Sequence, residues 1–149
     1  MTPEFAALSA YGDWIRGSLW AYPALEAVHI ASIATLFGSL LVLELRLFGL
    51  GAALAVKPLA RLALSVSVFG FGAAAVSGLL LFAADAADLL LNPAFRLKML
   101  LLMLAGTNAA VFHAFGGLNA HGIQARLQAG LSLLIWLAII VCGRMIAYV

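Results

Sequence analysis

The chain has 149 residues, 66% of them hydrophobic and 9% charged, with a mean hydropathy of +1.15; a water-soluble domain is roughly half apolar, so a soluble enzyme or soluble binding module is excluded. The formal net charge of +2 rests on few ionisable groups with no basic patch interleaved with aromatics, which sets nucleic-acid binding aside. Cys142 is the single cysteine, leaving no disulfide framework, no paired-thiol metal site and no covalent haem attachment.

An all-α fold is expected, a four-helix integral membrane bundle in one domain (1–149), because a span takes roughly 20 apolar residues and the length suits four. The opening "MTPEFAALSAYGDWIRG" lacks the basic start and continuous apolar run of a secretion signal. It reads as a short interfacial helix, with Phe5, Leu8, Trp14, Ile15 and Leu19 on the lipid and Glu4, Asp13 and Arg16 toward water. The first span begins near Pro23, where the first helical amides lack partners anyway, and runs to about Phe48 before Gly49 and Gly51. The second starts after Lys57 and Pro58 and fades at Phe82. "DAADLLLNP" makes a turn, and Asn92 followed by Pro93 opens a third span ending at Gly116 and Gly117. After "LNAHGIQAR" the fourth span runs from about Leu127 to Tyr148.

Arg46, Lys57 and Arg61 flank the first loop and Arg126 the third. Arg16 lies in the N-terminal region, and Arg96 and Lys98 follow a second loop that carries Asp85 and Asp88. This balance puts the first and third loops in the cytoplasm and both termini outside.

Helical rise gives the depth of the polar residues. His29 lies about 25 Å from Arg46 along the first span, and His113 about 22 Å from Lys98 along the third. The two histidines are therefore expected at different heights, too far apart to clamp one porphyrin. An outer group (Glu26, His29, Lys98, Arg144 and Asp85) and an inner group (Glu44, Arg46, Arg61, His113 and His121) result. Ionisable residues at membrane depth usually face the bundle interior and mark function. The simpler reading of Glu44, Arg46 and Arg61 is end-of-helix anchors.

Glu26 and His29 stand one turn apart, so the carboxylate can accept from one imidazole nitrogen and orient the other, as behind a metal ligand. The simpler alternative is an interhelical hydrogen bond from a lone histidine. One E-x-x-H motif is too little for a dinuclear carboxylate site. Gly70, Ala74 and Gly78 on the second helix, with Ala105, Gly106 and Ala109 on the third, leave room for a flat cofactor, although such stripes are also how membrane helices pack. Met99, Met103 and Met145 offer thioethers to haem iron, Arg144 and Lys98 can pair with propionates, and Asn108 and Ser132 read as interhelical hydrogen bonds.

At "WAYPALEAVHIAS", "LVLELRLFGL", "RLKMLLLMLAGTNAAVFH" and "LSLLIWLAIIVCGRMIAY" the chain resembles a bacterial family of small four-helix membrane proteins of unknown function. The resemblance covers nearly the whole chain. It implies a pattern of Glu26, His29, an acidic residue with Leu45 and Arg46, Lys98, Asn108, His113 and the ending Gly143 to Tyr148; Glu44 stands where Asp is more usual. More distantly, His29, "RLF" at 46–48 and "RLKMLLLMLAG" are similar to haem-containing membrane protoporphyrinogen oxidases and to copper-resistance membrane proteins. The oxidase resemblance implies that His29 and Lys98 act as a pair.

The expectation is therefore a b-type haem protein for electron transfer in a bacterial inner membrane. Its cofactor-binding residues would be His29, Glu26, Lys98, Met103, His113 and Arg144, with His29 and His113 as metal ligands. A redox partner protein, a quinone and a homodimer are the partners considered. The alternatives are a porphyrinogen oxidase with haem as electron acceptor, a copper or proton-coupled transporter whose path is Glu26, His29, Met103, His113 and Glu44, and a structural anchor of a redox complex.

Overall fold

A computed structural model describes residues 3–115 and 123–149, with side chains from residue 10 onward. Its helices are α1 (Pro3–Gly17), α2 (Ala21–Leu47), α3 (Val56–Ala84), α4 (Ala86–Leu91), α5 (Pro93–Ala114) and α6 (Ile123–Met145), with no strand among the described residues. Four of them, α2, α3, α5 and α6, are long and apolar enough to cross a membrane. At 1.5 Å per residue they reach about 33 to 44 Å, beyond a hydrocarbon core of about 30 Å. The expected spans are thus present. The "DAADLLLNP" turn contains the extra short helix α4, and the expected end of the third span at Gly116 and Gly117, together with His121, lies outside the described residues.

Local chemistry explains the boundaries. Asn92 Oδ1 accepts the Phe95 amide at 3.0 Å and Pro93 occupies the first position of α5, a side-chain cap followed by a residue whose missing N–H is no loss there. Ser18 Oγ accepts the Ala21 amide at 3.1 Å ahead of α2. Between α2 and α3, Gly49 and Gly51 take φ of +107° and +65°, a conformation that side chains resist. Arg46 closes this loop by donating to the Leu54 carbonyl at 2.8 Å and the Ala52 carbonyl at 3.3 Å.

The bundle is two antiparallel hairpins, α2 with α3 and α5 with α6, which meet along α2 and α6. The α2–α3 seam is built from small residues. A Cβ on Gly70 would stand 2.8 Å from the Leu36 nitrogen and 3.0 Å from the Ser32 carbonyl oxygen, and Leu43 packs on Ala60 and Ala63. Without a hydrophobic drive between helices in lipid, such close backbone approach supplies the packing. The second hairpin is sealed by Ala105 against Ile135 and Ile139. Val68 and Phe69, in contrast, are exposed on a chain whose outer surface is meant for acyl tails. The two outer helices α3 and α5 touch where Phe82 stacks on Phe95, ring centres 5.5 Å apart.

Helix α1 lies on the end of α3 rather than apart from the bundle. Ile15 is 4% exposed, Gly12 abuts the Ala84 carbonyl, and Tyr11 donates to the Leu80 carbonyl at 3.3 Å. Arg16, expected to face water, donates to the Ala84 carbonyl as well. The last carbonyls of a helix have no intrahelical partner, and a cation near them also meets the negative end of its dipole. Trp14 and Leu19 do stay exposed, as expected of an interfacial segment.

Candidate functional site

At the α1 end of the bundle, His29 of α2 and Lys98 of α5 lie within electrostatic reach of each other. His29 Nδ1 lies 2.9 Å from Ser77 Oγ on α3, and the ring sits over Gly78, where a Cβ would come within 3.0 Å of Cε1. Ser77 Oγ in turn donates to the Ala73 carbonyl at 2.7 Å. A hydroxyl has a single proton. With that proton serving the carbonyl, Nδ1 is the donor to Oγ and Nε2 is left with its lone pair. The Ala74 carbonyl is a second α3 group within hydrogen-bonding reach of the ring. An imidazole whose orientation is set by bonds from a neighbouring helix is the arrangement found behind metal ligands and proton acceptors.

Lys98 is half-buried, and its stem lies along Gly143 of α6, where a Cβ would be 3.5 Å from Nζ and 3.8 Å from Cε. Its ammonium is within electrostatic reach of the His29 ring, and among the described residues it forms no ion pair. The glycines thus have a definite use here: Gly78 and Gly143 are gaps filled by the imidazole and the lysine stem. They do not frame an empty slot. A shallow apolar concavity of about 490 Å³ lies between α2 and α3 beside Val28, Phe69, Gly72 and Ser77, and another of about 440 Å³ lies under α1 beside Tyr11, Trp14 and Ile15.

The remaining expected site residues do not join this pair. Glu26 is exposed and, although one turn from His29 on the same side of α2, makes no hydrogen bond to it; Nδ1 is held by Ser77 instead. Met103 is 74% exposed. Five residues beyond Lys98 rotate α5 by about 500°, which puts the two side chains on nearly opposite faces. Arg144 turns to Tyr148, donating to its hydroxyl and lying over its ring at 4.8 Å. His113 is in the last turn of α5, exposed and edge-on to Phe112, at the far end of the bundle from His29. Among the described residues no three of His, Cys, Asp and Glu come together as a metal-holding group.

Sequence reasoning missed Ser77. The signal was available: in an antiparallel hairpin, residues equally far from the turn lie side by side, and Ser77 is as far after Ala53 as His29 is before it. Asn108, by contrast, makes the expected interhelical bond, donating to the Gln128 carbonyl at 3.3 Å.

The donor chemistry at His29 suits an axial iron ligand, and Lys98 supplies a cation beside it. The space next to the ring is taken by Gly78. Comparison with protein-family models, with curated proteins and with solved structures finds nothing that matches this chain.

Proposed function

We propose that this is a membrane b-type haem protein for electron transfer in which His29 would hold the haem iron. One observation supports the reading above all: Ser77 holds Nδ1 at 2.9 Å and so orients the imidazole from α3, with the Lys98 ammonium within electrostatic reach. Haem, when bound, supplies the one-electron chemistry. The chain's own residues do the rest. Ser77 fixes the tautomer and the ring plane, Lys98 offers a positive charge to a propionate, and the apolar helices exclude water. A second copy of the chain would be a further source of residues to hold the haem, and a quinone or redox protein would supply the electron.

Protein purified from haem-replete cells should show a Soret band in oxidised and reduced spectra that His29→Ala removes or shifts. Colourless wild-type protein from such cells refutes the proposal. The porphyrinogen-oxidase reading uses the same pair, His29 and Lys98, and is separated by complementation of a strain lacking that step, which an electron carrier does not restore. A copper path draws no support from Met103, which faces outward. A proton-coupled role is favoured by a different observation, the buried carboxyl of Glu44.

A further inference from the structure

Glu44 stands in the last turn of α2, where an anchor residue would reach for water. It does the opposite. It is 5% exposed, and Oε2 is buried with no hydrogen-bond partner among the described residues. The α2 turn that carries it packs on α6, where Phe48 reaches the open side of Gly130 at 3.7 Å and Ser132 brings its hydroxyl to the Glu44 carboxyl. From α3 the neighbourhood is apolar, Leu43 packing on Ala60, Ala63 and Leu64.

Among the described residues no cation forms an ion pair with this carboxyl. On its own helix Arg46 is committed to the loop carbonyls of Ala52 and Leu54. Lys57 and Arg61 of α3 and Arg126 of α6 are exposed, as is His113 of α5, and none forms an ion pair with Glu44 among the described residues. An ionised carboxylate sealed from water without a partner is strongly disfavoured, and such groups neutralise instead. The donor set tells which ligand neutralises it. Hard metal cations take six or more oxygens, whereas one carboxyl and one hydroxyl suffice for a proton.

We propose that Glu44 is a proton-binding site in the half of the bundle opposite His29 and Lys98, a carboxylic acid kept neutral by its burial in the seam between the two hairpins, beside Ser132. Proton loss breaks the O–H bond of the acid, leaves a carboxylate, and passes the proton to a water molecule as hydronium. The seam must admit that water, so the contact of α2 with α6 responds to the proton.

Infrared spectra of the full chain in lipid at neutral pH test this. Wild type should show the C=O band of a neutral carboxylic acid, Glu44→Gln should lack it, and Ser132→Ala should shift it by removing the hydroxyl from the acid. Absence of the band in wild type, or a band that persists in Glu44→Gln and does not move in Ser132→Ala, overturns the proposal. The Ser132→Ala arm keeps the test decisive if the glutamine variant fails to fold. None of these readouts depends on haem.

Discussion

Gly70 and Leu36 bring the backbones of α3 and α2 so close that a Cβ on Gly70 would stand 2.8 Å from the Leu36 nitrogen. The obstacle is main chain, which cannot rotate aside. Gly70→Ala should therefore force the helices apart and lower stability by about 1 to 3 kcal/mol, the range for overpacking. Gly72→Ala, with nothing within 4 Å of the new carbon, should cause no loss. Reversible unfolding in mixed micelles compares the two.

Ser77→Ala tests the tautomer of His29. Interhelical hydrogen bonds in membranes average about 0.6 kcal/mol, so the fold should survive. With its acceptor gone, the ring proton is no longer pinned to Nδ1. Nitrogen NMR of labelled histidine should show a single Nδ1–H form in wild type and a mixture in the variant. A mixture in both would remove the role assigned to Ser77.

Asn92 serves two helices at once. Its Oδ1 caps α5, while Nδ2 donates to the Ile146 carbonyl at 3.0 Å and the Val149 carbonyl at 2.6 Å beyond α6. Asn92→Ala should cost about 1 kcal/mol for the cap and raise amide exchange in residues 145–149. Asn92→Asp should keep the cap and lose the second effect.

Arg16 fastens α1 to α3 through the Ala84 carbonyl, with Asp13 at 2.9 Å and Asp85 at 3.8 Å around it. Arg16→Ala should speed hydrogen exchange across residues 10–17 and leave the four spans unaffected. Asp85→Asn should do much less, because its ion pair is long and half exposed and such pairs contribute little.

The spans and the order of helices could be read from the sequence because lipid imposes a single demand on every spanning segment, an apolar run long enough with its backbone bonded internally. Capping at Asn92 and Pro93 was legible for the same local reason. Heights along the axis were legible too, since rise per residue is fixed, and they correctly separated His29 and Lys98 from His113. Facing was not. Which side of α2 meets α3 depends on where the seam falls, and Gly70 and Gly78 set that seam against Ser32, Leu36 and His29, so His29 meets α3 while Glu26 stays exposed. Glu44 was misjudged as an anchor because its burial comes from α6, a helix some ninety residues later whose approach no local pattern announces. The small residues had two readings, room or contact, and Gly78 and Gly143 show contact with the very side chains of interest.

The Arg46 clasp on the first loop bears on biogenesis. It closes the α2–α3 pair with bonds drawn wholly from residues 46 to 54, so that loop needs no residue of α5 or α6 to take its shape. Insertion can then proceed two helices at a time, and co-expression of separate fragments divided at the α4 segment is the natural way to watch the halves find each other.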